Sequence, residues 1–170
     1  STGEGVYIKS GNKALKTMSP TRDVPKFLDI VGSLNKAGKL KTDAFTTPVS
    51  CCMISGGQYI GWGGAMGPAQ FIPSTWVRYA DKIAEASGNA PANPWNIRDA
   101  FLANALLLKD NGAGAKTYEA EIKAAQKYFS GTTSSFARKN YGVPVMNAAA
   151  CMQGYIDDGS MSDSCQDLIF

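Results

Sequence analysis

The sequence predicts a mainly α fold. Apolar residues recur at three- and four-residue spacing in five separate stretches, Pro and Gly stand where those stretches begin and end, and strand-like alternation is nowhere convincing. With 170 residues, 44% hydrophobic and 18% charged, the chain is sized for a single core, and 1–170 is read as one domain.

Residues 1–20 are rich in Gly, Ser, Thr and Lys and read as loop. A first helix is expected from about Val24 to Leu34, where Val24, Phe27, Leu28, Val31 and Leu34 share a stripe and Pro25 falls in the first turn. Residues 35–64 read as loop, glycine-dense from Gly56 to Gly64, so long loops dominate the first third. Pro73 opens a second helix with Trp76, Tyr79, Ala80 and Ile83 at helical spacing, ending at Gly88. A third is expected over about 97–110, with Asn96 as N-cap, Asp99 in the first turn and Gly112 as stop. Phe101, Leu102, Ala105, Leu106 and Leu108 make it broadly apolar, so it is read as the central buried helix. A fourth fits Thr117 to Phe129 with Tyr118, Ile122, Ala125 and Phe129 inward, and a fifth fits about Val143 to Tyr155 with Val145, Ala149 and Met152 on one face. Met18, Met66, Met146, Met152 and Tyr155 read as core filler.

Composition excludes several chemistries. The chain has no histidine, which removes Ser-His-Asp and Cys-His catalysis and histidine metal sites. Acid–base work falls to carboxylates, Tyr, Lys or Cys, and the only glutamates are Glu4, Glu85, Glu119 and Glu121. No metal site and no cofactor are expected. A net charge of +3 is too mild to argue for nucleic acid, and no apolar run is long enough for a transmembrane segment. Charge is nonetheless uneven: residues 1–41 carry +5, a solvated face or a lean toward an anionic polymer, whereas residues 151–170 carry −4 with no Lys or Arg.

The four cysteines lack zinc-knuckle spacing, and an even count suits disulfides in an exported protein. Three connectivities are open. Cys151–Cys165 is favoured because it would close a polar Gly/Ser/Asp loop and make 151–170 an acidic, disulfide-closed tail, while Cys51 and Cys52 are left unassigned. Four reduced thiols in a cytosolic protein are the alternative.

The most informative stretch runs from Gly61 to Trp76. Its glycines allow positive φ and close backbone approach, and Met66, Gln70 and Phe71 form a short turn that stops at Pro73. Gln70 is the one large polar side chain there, and its amide can both donate and accept, which suits a sugar hydroxyl or N-acetyl group. The run is no dinucleotide fingerprint, because G-x-G-x-x-G fails at Met66, and no Gly-Lys-Ser/Thr follows for a phosphate loop.

Residues Gly64-Ala65-Met66-Gly67-Pro68-Ala69-Gln70-Phe71-Ile72-Pro73-Ser74-Thr75-Trp76 resemble the G-A-M-G-x-x-Q-F-x-P-S-[ST]-[YW] motif of lytic murein (peptidoglycan) transglycosylases of the membrane-bound transglycosylase B type. Asn93-Pro94-Trp95-Asn96-Ile97-Arg98-Asp99-Ala100 resembles the segment opening that family's long helix, and Tyr128-Phe129-Ser130-Gly131 its cleft-closing Tyr-x-x-Gly element. Met18 to Leu28 and Thr47-Pro48-Val49-Ser50-Cys51 resemble further segments. The resemblance implies a lysozyme-like fold and cleavage of the MurNAc-β-1,4-GlcNAc bond in peptidoglycan glycan strands with a 1,6-anhydro product, in an exported, periplasmic or cell-wall protein. It implies Met66, Gln70, Phe71 and Tyr128 as substrate-binding residues. The family's Glu-Ser/Thr-x-x-Gly pattern does not occur, so the catalytic acid is expected on an upstream or separate segment, with Glu4 the candidate within this chain. A non-catalytic glycan-binding or assembly module of the same fold is the alternative, with Trp62, Trp76 and Trp95 available for stacking on sugars or as core residues.

Overall fold

A computed structural model of the protein describes residues 17–51, 53–56 and 58–169. The described part is mainly helical, as a lysozyme-like domain is. By internal contacts the chain divides into two compact units, Ser1–Asn104 and Ala105–Phe170.

The first unit starts with helix α1 (Val24–Lys36), which has Pro25 in its first turn and buries Phe27, Val31 and Leu34. The stripe is the expected one, except that Leu28 faces solvent. Two short strands follow, β1 (Met53–Ser55) and β2 (Gln58–Gly61), antiparallel with Ile54 opposite Tyr59 and Ser55 opposite Gln58. This corrects the reading of 35–64 as loop. Runs of three and four residues are too short to display a period of two, so the pairing left no pattern to find.

Helices α2 (Pro73–Trp76) and α3 (Ala80–Ser87) replace the single helix expected from Pro73 to Gly88. Between them Arg78 N–H donates to Thr75 O at 3.2 Å and Tyr79 N–H to Trp76 O at 2.9 Å. Such i→i+3 bonds tighten the turn so that residues three apart eclipse. Trp76 and Tyr79 are thereby both buried, with Ile83. Phe71 meets the two rings edge-on, at 6.1 Å from Trp76 and 6.4 Å from Tyr79, a favoured aromatic arrangement. Gly88 ends α3 in the left-handed conformation.

Helix α4 (Ile97–Asp110) lies where expected. Asn96 caps it, its Oδ1 accepting from the N–H groups of Arg98 at 3.0 Å and Asp99 at 3.2 Å. Its burial is narrower than its composition: Asp99, Ala100 and Ala103 are buried, whereas Phe101 is 65% exposed. Apolar residues around a helix state what could be covered, not which faces find cover.

In the second unit, α5 (Tyr118–Ser130) is capped by Thr117, whose Oγ1 accepts from Ala120 N–H. It buries Ile122, Ala124, Ala125 and Gln126, while Tyr118 and Phe129, expected inward, are half exposed. Buried Gln126 accepts from Ser134 N–H at 3.1 Å, and Ser134 in turn caps the short helix α6 (Ser135–Ala137). A π-helical turn, Arg138–Gly142, leads into α7 (Val143–Asp158). No residue of α7 is buried, so the reading of Met146, Met152 and Tyr155 as core is corrected: Met146 is half-buried and the other two are half exposed, as is the Val145 position on the same helix. Their spacing reports a helix and not a partner for its face.

The Cys151–Cys165 disulfide is present, with Cα atoms 5.5 Å apart. It spans the polar stretch Asp157–Ser162, as expected, and ties α7 to a further helix that was not expected, α8 (Asp163–Ile169). Seven residues are too few to hold a helix alone, and Asp163 in the first turn adds only a small dipole term, so the covalent tie is what fixes α8.

Asp23 links two parts of the first unit. It is fully buried; its Oδ2 accepts from Arg22 Nε at 2.8 Å and its Oδ1 from the Ser74 N–H at 3.0 Å, so it caps α2 from the start of α1. Burial pushes its carboxyl up, but the Arg22 and Ser74 hydrogen bonds outweigh this and hold it below the usual carboxylate value. A depressed folded-state value means stability that is present above the unfolded value of 3.8 and lost as pH falls through the folded one. Replacing Asp23 by Ala is expected to cost about 1–3 kcal/mol in urea unfolding at neutral pH. The gap between variant and wild type should close as the pH drops below about 4. Reduction of Cys151–Cys165 should release α8 alone: proteolysis at Gly159–Ser162 accelerates while exchange protection in α5 stays unchanged.

Candidate functional site

The Gly64–Phe71 turn is built from both sides. Ser50 clamps its start, with Gly64 N–H donating to Ser50 O at 2.9 Å, Ala65 N–H to Ser50 Oγ at 2.9 Å and Ser50 N–H to Ala65 O at 2.9 Å. Met66 forms isolated bridges with Val49 and with Phe71, which folds the turn back on itself. Gly67 has φ +60°, and a Cβ there would fall on the Pro94 carbonyl, so only glycine lets these two backbones touch. Gly64, at φ +85°, is pressed in the same way against the Met18 side chain.

Gln70 closes the turn at φ +55°, one of two described non-glycine residues in the left-handed region, the other being Lys116. That conformation costs an L residue roughly 1–2 kcal/mol. Its side chain offsets part of this, with Nε2 donating to Gly67 O at 2.7 Å alongside its own backbone N–H at 3.2 Å. Strained backbone held by its surroundings clusters at working sites. Met66 has no exposed surface and Phe71 has 3%, so of these three neighbours only Gln70 is partly open to solvent.

Tyr128, in the second unit, stacks at 6.2 Å on Tyr141, which also stacks at 4.9 Å on Phe129. Burial, with a smaller push from Tyr141, takes the Tyr128 phenol up to about 12. Trp62 is half exposed, Trp76 is core, and Trp95 is half-buried with Nε1 donating to Pro48 O at 3.2 Å.

None of the described glutamates is an isolated buried acid. Glu85 is exposed and Glu121 half-buried. Glu119 takes a two-pronged ion pair from Arg138, at 2.7 and 3.0 Å, and that hydrogen bonding holds it below the usual range, the reverse of what a general acid needs. Glu4 lies outside the described residues. Among the described residues the fully buried carboxylates are instead Asp23 and Asp99, neither of which the sequence analysis offered as a site residue. Both carried the same signal, Asp99 its place in the Asn93–Ala100 segment and Asp23 its place in the Met18–Leu28 segment. Among the described residues no cluster of three or more His, Cys, Asp or Glu could hold a metal ion, and no helix is long and apolar enough to cross a membrane.

The Gly64–Trp76 turn and the helices that follow it lie in the part of the chain that a family model matches. The model of the transglycosylase SLT domain matches residues 57–152, more than half of the chain. The chain belongs to that family, and so to the lytic transglycosylase, lysozyme-like class whose substrate is peptidoglycan. No curated protein and no solved structure matches it.

The Tyr128 value gives a pH test. A phenol whose folded-state value is raised contributes stability in full below the unfolded value of 10.0, and loses it as pH rises toward about 12. Between these limits the Tyr128→Phe variant is expected to lose less stability with rising pH than wild type, read by alkaline unfolding, with the slowest phenolate in the absorbance titration missing from the variant.

Proposed function

We propose that this chain carries the glycan-contacting part of a peptidoglycan lytic transglycosylase of the membrane-bound transglycosylase B type, acting on the MurNAc-β-1,4-GlcNAc bond. The observation behind this reading is the Gly64–Phe71 turn, in which Gly64 packs on the Met18 side chain, Gly67 on the Pro94 carbonyl, and Gln70 holds a costly conformation at a half-open position. Gln70 contacts a sugar hydroxyl or N-acetyl group, Met66 and Phe71 support it from beneath, and Tyr128 serves the same substrate as a neutral hydrogen-bonding phenol. Residues 1–170 act as one lysozyme-like domain, and the disulfide fits a protein exported to the periplasm or cell wall.

Cleavage needs one carboxyl that acts twice. It protonates the leaving glycosidic oxygen; the resulting carboxylate takes the proton of the sugar's own 6-hydroxyl as that oxygen bonds to C1, giving a 1,6-anhydro end without water. We assign that acid to residues outside the described part, Glu4 or a Glu on another segment, because Glu85, Glu119 and Glu121 sit in solvated or ion-paired surroundings. The same observation favours the second reading, a non-catalytic glycan-binding module.

Mass spectrometry of purified peptidoglycan incubated with the chain separates the two. Anhydro-muropeptides, lost in Gln70→Ala, are expected for the enzyme. No soluble product, with the chain sedimenting alongside the insoluble polymer and Gln70→Ala released from it, is the outcome for the binding module. Neither product nor sedimentation overturns both.

A further inference from the structure

The loop before α4 holds a polar chain that does no evident chemistry. Asp99 is fully buried, and its Oδ2 accepts from the Asn93 N–H at 2.8 Å and from Asn89 Nδ2 at 2.6 Å. Asn89 Oδ1 accepts from Lys39 Nζ at 2.6 Å, and the same ammonium donates to the carbonyls of Ala90 at 2.7 Å and Pro91 at 3.2 Å. Asn93 returns the connection, with Nδ2 donating to Lys39 O at 3.2 Å, while its Oδ1 accepts from the Trp95 N–H at 2.9 Å. Three donors from one lysine and a buried carboxylate are thus spent on holding the backbone from Asn89 to Trp95.

What that backbone touches gives the chain its meaning. Pro94 O is the atom against which Gly67 is pressed, and Gly67 O is the atom that accepts both the backbone and the side-chain N–H of Gln70. Trp95 makes a second connection, through its bond to Pro48 O, next to Val49, which bridges Met66. Both routes end on the same turn. Burying a carboxylate is expensive, and Asp99 Oδ1 has no hydrogen-bond partner at all, so stability alone is a poor reason for this arrangement.

We propose that Asp99 and Lys39 are positioning residues, a clasp that fixes Pro94 against Gly67 and so sets the conformation of Gln70. The proposal rests on the reading of Gln70 as the glycan contact, and extends it by assigning its geometry to two residues that touch no sugar. Coupling through a packed chain of this kind is typically worth a few-fold to about thirtyfold in an equilibrium.

The test is hydrogen exchange on the chain carrying Asp99→Ala, Lys39→Met, Gly67→Ala or Asp99→Asn, with peptidoglycan sedimentation alongside. Expected is exchange about tenfold faster over residues 64–71 in the Ala and Met variants, with the core of α1 over residues 27–34 unchanged. Asp99→Asn, which keeps an acceptor for both donors, should stay near wild type. Adding Asp99→Ala to Gly67→Ala should then change little, because the link is already broken. Exchange that rises equally in α1 and in 64–71, or in neither, overturns the clasp. Should Asp99→Ala not fold, Lys39→Met, at a half-exposed position, decides the matter by the same reading. Faster exchange at 64–71 with sedimentation unchanged would uphold the clasp and remove the glycan role of Gln70, so the two failures are distinct.

Discussion

One contact, with no room for a side chain, underlies the first unit: Gly67 lying against the carbonyl of Pro94. It joins two loops that share no secondary structure and are far apart in sequence. The Gly64–Phe71 turn is tied by backbone bonds to Ser50 and by the Met66 bridges, whereas its join to Pro94 depends on shape: glycine on one side, and on the other a segment that cannot back away. Pro94 follows Asn93, whose N–H and side chain are both engaged, and precedes Trp95, whose indole and backbone N–H are both engaged. A loop anchored on each side of its contact atom behaves as part of the scaffold. The positive φ of Gln70 is tolerable because the carbonyl that takes its side chain belongs to that same fixed glycine.

Asp23 plays a similar part at the other end of the motif. Ser74 lies in the first turn of a four-residue helix, where several N–H groups have no partner within the helix. A carboxylate from the start of α1 satisfies one of them. The charge is made affordable by Arg22, which is half exposed and therefore keeps its own hydration. Each end of the Gly64–Trp76 motif is thus fixed by a buried aspartate from a different element. The two act differently: Asp23 bonds the motif directly, and Asp99 holds what the motif packs against.

Much of the local structure was legible in the sequence because the signals were local. Asn96 as a cap, Gly88 and Gly112 as stops, and the α1 stripe are all decided within a turn or two of the chain. The Cys151–Cys165 pairing followed from a short separation, although the helix α8 between Ser162 and the chain's end did not, since its few residues have no apolar period. What could not be read depends on partners remote in sequence. The outward turn of Phe101, Phe129 and Met152 is one case, because periodicity marks a face without saying what covers it. The break after Trp76 is another, forced by two aromatic rings that must enter one core. The burial of Asp23 and Asp99 is a third, since an aspartate looks the same in sequence whether it is solvated or holding a loop together. At the candidate site the residues suggested close approach at the glycines and a polar role for Gln70, the resemblance added Met66, Phe71 and Tyr128, and the partners of the glycines, Met18 and Pro94, could not be read from sequence.

The acidic side chains divide by task, and the division bears on catalysis. Those described fall into a group engaged by donors, with Asp23, Asp99 and Glu119 each held by two or more hydrogen bonds, and an exposed or half-exposed group that includes Glu85 and Glu121. Neither environment makes a general acid. Donor-rich surroundings favour the charged form at Asp23 and Glu119, and an exposed side chain has no apolar wall around it. A lytic transglycosylase needs the opposite, a carboxyl kept protonated by an apolar wall and then able to accept a proton from the sugar. Two other side chains are neutral: in the first unit the Gln70 amide, bonded to Gly67 O, and in the second the Tyr128 phenol, which stays protonated far above neutral pH. On the proposed reading, such neutral groups orient an uncharged glycan without altering the proton affinity of the carboxyl that acts on the bond.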